Sequence, residues 1–249
     1  MKRDKFINYA HRGASEYAPE NTFLSFYTGI FMGANGIETD VHLSRDGVAV
    51  LFHDEKLERM TGESGSISDY TLKELKSFWV KKNNLKDRII TLDEFLYRFK
   101  DFDLTFAIEL KGDKTAKPTA ELITKHGVAD KVVITSFKYS ELIDMHAILP
   151  SIRLGLLHQG EVNDELLEKM KADGINEICP ESYFVNKDNC KSWHEKGFNV
   201  RAWGVYNTDL MQNLVKCGVD GMTVNFPDKL YEYLSTNGEN DESNSNTEK

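Results

Sequence analysis

The chain has 249 residues, 40% of them hydrophobic, enough to bury a full core within one domain. Its formal net charge of -9 and pI near 5.3 exclude a nucleic-acid partner, because neutralising a phosphate backbone needs a basic surface. A small anion is admissible where a local cation or a bound metal reverses the sign of the field.

The opening segment MKRDKFINYAHRG is basic, but its apolar stretch is broken at Asn8 and is too short for the core of a signal peptide. A cytoplasmic location is therefore expected. No run approaches the roughly 18 apolar residues of a membrane span, so no transmembrane segment is expected. Cys179, Cys190 and Cys217 are an odd set without zinc-site spacing and are read as buried thiols.

In chain order, β-rich runs at 6–10, 36–41, 104–110, 131–135, 152–157, 175–179, 199–203 and 219–224 alternate with amphipathic helical stretches. Eight parallel strands with helices between them predict an α/β fold of the (β/α)8 barrel type over residues 1–234. Thr91 and Thr208 are placed to cap helices, and Gly174 and Gly218 to end them. After the second strand, residues of about 55–88 carry Gly62, Gly65 and the polar run KKNNLKD, which predicts a small insertion at one mouth of the barrel. Residues 235–249 are polar and expected to be disordered.

Barrel chemistry gathers at the C-terminal ends of the strands. The first strand ends in His11-Arg12-Gly13: an imidazole titrating near neutrality, a guanidinium able to hold a phosphate by paired hydrogen bonds, and a glycine permitting a tight turn. On the second, Glu38 and Asp40 are two apart, hence on one face. Such a pair repels unless a cation sits between, and hard oxygen ligands favour Mg2+ or Ca2+ over zinc.

Asp46-Gly47 makes a turn, after which an apolar run delivers His53 to its end; Asp54 either orients that ring or caps the next turn. Glu109 and Lys111 repeat the two-residue spacing on the third strand, either as a third metal ligand and a charge for an anion or as a strand-end salt bridge. His126 and His194 suit the last turns of helices, His146 sits within one, His42 lies beyond the ligand layer and His158 is a weak candidate at the mouth.

These segments resemble the glycerophosphodiester phosphodiesterase family. HRGASEYAPENT is similar to its opening motif and IETDVHLSRDGVAVLFHDEKLERMTG to its second, while IELK, TSF, VRAWGV and GVDGMTVNFPD follow in the expected order, covering roughly residues 10–230. The resemblance implies hydrolysis of a small glycerophosphodiester, such as glycerophosphocholine or glycerophosphoethanolamine, to sn-glycerol 3-phosphate and an alcohol. It makes His11 and His53 the acid and base, and Glu38, Asp40 and Glu109 the metal ligands. Arg12, Lys111 and Glu20 then serve the phosphate site and Trp203 the glycerol. Where the family usually shows Thr-Asp before an aromatic-Pro pair, this chain has Val224-Asn225-Phe226-Pro227, a change expected to touch only a peripheral contact. Two alternatives stand beside this reading. One is a lysophospholipase D holding an acyl chain on Phe78, Trp79 and Val80, and the other a catalytically silent barrel that binds a phosphorylated ligand.

Overall fold

The computed structural model describes the backbone of residues 6–244 and the side chains as far as residue 236. Its strands are β1 (Ile7–His11), β2 (Gly36–Leu43), β3 (Ala49–Leu51), β4 (Trp79–Lys82), β5 (Leu85–Arg88), β6 (Thr105–Leu110), β7 (Val132–Ser136), β8 (Arg153–His158), β9 (Glu177–Pro180), β10 (Asn199–Val205) and β11 (Gly221–Val224). The eight runs found in the sequence are β1, β2 and β6 to β11. Each pairs in parallel with its neighbour, and β1 pairs with both β2 and β11, which closes a (β/α)8 barrel. The strands are buried nearly end to end, as expected when helices cover one face and barrel packing the other.

The helices are α1 (Phe23–Phe31), α2 (Glu58–Thr61), α3 (Leu72–Leu75), α4 (Leu92–Phe99), α5 (Ala116–His126), α6 (Tyr139–Ile148), α7 (Asp164–Ala172), α8 (Lys187–Glu195), α9 (Thr208–Cys217) and α10 (Pro227–Asn244). Thr91 caps α4 through a reciprocal bond set with Glu94, as its position predicts. At α9 the cap is Asn207, whose side chain accepts from Leu210 N, and Thr208 is already helical. The backbone of α10 stays helical to Asn244, past the Leu234 boundary drawn from composition; residues 245–249 lie outside the described residues. Pro227 starts this helix and buried Leu230 anchors it, so each further residue adds a hydrogen bond to an existing nucleus.

Phe26, Phe95, Phe99 and Phe106 join α1, α4 and β6, with Phe26 edge-on to Phe95 at 4.9 Å and Phe95 edge-on to Phe106 at 5.2 Å. Each such burial stabilises by about 1.5–3 kcal/mol. Beside this packing β2 and β6 pair in parallel from Gly36 and Thr105 to Val41 and Leu110, where the acidic residues lie.

The insertion has its own apolar cluster, built on Val50, Phe52, Leu57, Ile67, Leu75, Val80 and Ile89. β3 ties it to the barrel by pairing antiparallel to β2, and β4 and β5 form its hairpin. Val80 lies in this cluster, Phe78 packs on Tyr70 at 5.2 Å, and the Trp79 ring lies under Arg88 at 3.3 Å. The apolar trio considered for an acyl chain is thus used by the fold of the insertion. Among the described residues no helix is long and apolar enough to cross a membrane.

Candidate active site

The turn after β1 is built from unusual backbone. Arg12 and Gly13 take φ of 55° and 81°. A Cβ at Gly13 would fall 2.4 Å from the Ser25 backbone, so only glycine fits there. Arg12 is held in the left-handed region because its carbonyl accepts from Asn21 N (2.9 Å) and Ser25 Oγ (2.8 Å). Its own N–H consequently donates to Glu38 Oε2 at 3.0 Å, while the guanidinium reaches Glu20 Oε1 at 3.1 Å and Asp40 Oδ2 at 3.4 Å.

Strand register then gathers the carboxylates. His11 is level with Glu38 across β1 and β2, and Asp40 is level with Glu109 across β2 and β6. Glu38, Asp40 and Glu109 are all buried, and each offers an oxygen within 4.8 Å of the others. Burial and the charges of Asp40 and Glu109 push Glu38 well up; burial and Asp40 push Glu109 up to about 7. Burial would also raise Asp40, but Arg12, His53 and Lys111 outweigh it and hold this carboxyl below its ordinary value. Asp40 Oδ1 is buried with no hydrogen-bond partner, although Asp40 Oδ2 accepts from Asn21 Nδ2 at 2.8 Å. Surplus negative charge, oxygen-only donors and an orphaned oxygen fit a hard divalent cation.

Two imidazoles border this cluster. His11 Nδ1 lies 2.6 Å from Asn225 Oδ1, and since an amide oxygen only accepts, Nδ1 carries the proton and Nε2 is left open. Burial and the Arg12 charge push His11 down to about 3. His53 Nδ1 donates to Asp54 Oδ1 at 2.7 Å, so Asp54 orients the ring rather than capping a turn. Burial, helped by Arg12 and Lys111, lowers His53 as well, with Asp40 and Asp54 opposing. Lys111 Nζ sits 2.9 Å from Glu109 Oε1 and donates to His53 Nε2 at 3.1 Å; it forms the strand-end salt bridge and also faces the site.

His11, Arg12, Glu38, His53, Glu109, Lys111 and Trp203 all line one cavity of about 190 Å³. Asp40 is fully buried beside Glu109, outside the lining, and Glu20 supports Arg12, also from outside the lining. Trp203 is fixed by donating Nε1–H to Cys179 O at 3.0 Å, with Phe137 edge-on at 5.1 Å. Thr135, Arg201, Tyr206 and Thr223, to which the sequence assigns no role, also line the cavity, as does Asn225.

Asn225 corrects an expectation, since it bonds His11 directly instead of serving a peripheral contact. Barrel closure carried the signal: Ala10 pairs with Val224, so the next residues, His11 and Asn225, emerge together. His42 also gains a role, bonding the His53 carbonyl through Nε2 at 3.0 Å. His126 and His194 end helices and bond Asp93 (2.6 Å) and Asp220 (2.8 Å), away from the cavity. His158 bonds Glu161 O. Cys179 is buried and Cys217 only partly so, with no disulfide among the described residues.

A model of the glycerophosphoryl diester phosphodiesterase family matches residues 11–229. The chain is 32% identical over 243 residues to the glycerophosphodiester phosphodiesterase of Caldanaerobacter subterraneus subsp. tengcongensis, covering 94% of this chain and 100% of that relative. It is 30% identical to the glycerophosphodiester phosphodiesterase of Bacillus subtilis, covering 93% of this chain and 87% of the relative. An Oleispira antarctica phosphodiesterase, solved in complex with its product sn-glycerol-3-phosphate, superposes with a TM-score of 0.83 at 26% identity, covering 91% of this chain and 96% of that one. With the match beginning at His11 and running beyond Asn225, the chain belongs to the glycerophosphodiester phosphodiesterase family of enzymes.

Proposed function

We propose that this protein hydrolyses glycerophosphodiesters, such as glycerophosphocholine or glycerophosphoethanolamine, to sn-glycerol 3-phosphate and an alcohol. In this reading Glu38, Asp40 and Glu109 hold Mg2+ or Ca2+, with His11 as base and His53 as acid. The observation that carries it is the meeting, at one cavity, of an overcharged carboxylate triad with two imidazoles whose protons are fixed on Nδ1.

The bound cation supplies positive charge that the growing charge on the phosphoryl oxygens requires. Arg12, braced by Glu20 and Asp40, and Lys111, braced by Glu109, hold the phosphate. His11 has a neutral partner in Asn225, which keeps its proton on Nδ1 and leaves Nε2 open to accept the proton of the nucleophile. His53 is backed by the Asp54 carboxylate, which opposes the lowering of its proton affinity by burial, so in this reading His53 takes up a second proton on Nε2 and gives it to the departing alcohol. Lys111 Nζ lies 3.1 Å from His53 Nε2, so this role for His53 requires Lys111 to turn to the phosphate when substrate binds. Trp203, held by the Cys179 carbonyl, faces the glycerol.

A panel of glycerophosphodiesters assayed with Mg2+, with Ca2+ and with chelator tests reaction, metal and headgroup together. Turnover is expected to vanish with chelator and to fall by about 10²- to 10⁴-fold in His11→Ala and in His53→Ala. Metal-dependent turnover of glycerophosphocholine that survives both substitutions would overturn the assignment.

A further inference from the structure

One side chain of the insertion grips the catalytic mouth without touching the cavity. Arg59, on α2, uses its whole guanidinium on two carboxylates from different segments. Nε and Nη2 donate to Asp54 Oδ2 and Oδ1 at 2.5 and 2.9 Å, while Nη1 and Nη2 donate to Glu20 Oε2 and Oε1 at 3.0 and 2.6 Å. Both carboxylates have a second engagement. Asp54 Oδ1 also accepts from His53 Nδ1, and Glu20 Oε1 also accepts from Arg12 Nη1. An unbroken chain of charge-assisted hydrogen bonds thus runs from Arg12 through Glu20, Arg59 and Asp54 to His53.

Stability alone does not account for this arrangement. The Arg59 side chain is 47% exposed, and an ion pair so open to solvent contributes little to folding. Its geometric effect is larger. A planar guanidinium bonded at both oxygens of each carboxylate fixes the two carboxylate planes relative to each other, which a single ammonium cannot do. In each carboxylate, an oxygen held by Arg59 is the one that meets the site.

We propose that Arg59 is a positioning residue for phosphodiester hydrolysis, keeping His53 and Arg12 in fixed relation to the same phosphate by locking Asp54 against Glu20. The insertion is then a working part of the site, since α2 supplies the lock. This inference rests on the roles given above to His53 and Arg12.

Steady-state kinetics on glycerophosphocholine with Mg2+ test it, comparing wild type, Arg59→Ala, Arg59→Lys and Arg45→Ala, each with its melting temperature. Arg45 is a control of similar exposure that ties β2 to the insertion through Asp69 O (2.7 Å) and Glu74 (3.0 Å), remote from the cavity. Arg59→Ala is expected to lower kcat about 10- to 100-fold, with a much smaller change in KM and little change in melting temperature. Arg59→Lys should fail to restore the rate. Millimolar guanidinium should recover part of the kcat of Arg59→Ala, which a merely structural role would not allow, and Arg45→Ala should match wild type. The inference is overturned if Arg59→Ala keeps the wild-type kcat, if guanidinium gives no recovery, or if Arg45→Ala loses as much. Turnover by wild type together with any of these results would sink this inference alone, whereas an inert wild type would sink the proposed hydrolysis with it.

Discussion

Two groups of buried charge share this barrel, and they are built on opposite accounts. Across β9, β10 and β11, Arg201 Nε donates to Glu177 Oε1 at 2.7 Å, Nη1 to Thr223 Oγ1 at 3.1 Å and Nη2 to Cys179 Sγ at 3.3 Å. One cation meets one anion, with the Tyr9 ring 5.0 Å from the guanidinium, so the charge is matched even though Arg201 and Thr223 border the cavity. At the ends of β2 and β6, three carboxylates face Arg12 and Lys111, two of them are pushed toward the protonated form, and Asp40 Oδ1 has no hydrogen bond. Burial of charge is common to both groups and so identifies neither. What separates them is compensation, and the uncompensated group is the one prepared for something from outside.

Breaking the balanced group should give the largest effect on the fold. Glu177→Ala leaves the Arg201 guanidinium buried without its anion, which is expected to cost about 3–5 kcal/mol in denaturant unfolding. The rise in melting temperature on adding Mg2+ should survive, because the triad is untouched. A loss below about 1 kcal/mol would mean that Arg201 finds other compensation and that the contrast between the two groups is wrong.

Relieving the overcharged group should do the reverse. Glu109 is held near 7 and Glu38 well above its ordinary value, so the folded, metal-free protein keeps protons that the unfolded chain releases near 4.5. The Glu109 contribution is complete below that pH and is lost as pH rises through about 7, and Glu38 acts in the same direction. His11, His42 and His53 are depressed and act in the opposite sense, so the carboxylate part is read as the difference between wild type and Glu38→Gln. In chelator, Glu38→Gln should gain on wild type progressively from pH 5 to 8 and should lose the Mg2+-induced rise in melting temperature. Parallel pH curves for the two proteins, or a preserved metal response, would contradict the assignment of surplus charge to this group.

The overcharged group was largely legible in the chain because its geometry is local. Period two puts Glu38 with Asp40 on one face, and Glu109 with Lys111 on another, whatever the rest of the fold does. Long-range partners were less visible. The sequence marks Asn225 only as a peripheral change, although β11 must return beside β1, and that closure aligns it with His11. Arg59 gave no sign at all, since its partner Glu20 is 39 residues away and only the folding of the insertion brings them together. The cap of α9 was misplaced by one residue because Asn207 and Thr208 are both able to cap, and the extended backbone at Asn207 decides between them. Arg201 escaped notice because it sits within β10, where a charged residue is tolerated only through Glu177, on another strand.

Thr135 stands between the two groups, and its smaller effect can show to which it belongs. It lies on β7 level with Glu109, lines the cavity, and has a buried Oγ1 without a hydrogen-bond partner. Arg201 bonds Thr223 instead, so nothing in the balanced group uses the Thr135 hydroxyl. A substrate hydroxyl reaching this oxygen would gain a hydrogen bond worth about 0.5–1.5 kcal/mol, whereas the fold gains nothing from it. Thr135→Val is therefore expected to raise KM for glycerophosphocholine by roughly 2- to 10-fold, with kcat and melting temperature nearly unchanged. A lowered melting temperature with an unchanged KM would assign Thr135 to the structural group, and the floor of the cavity would then have no part in reading the substrate.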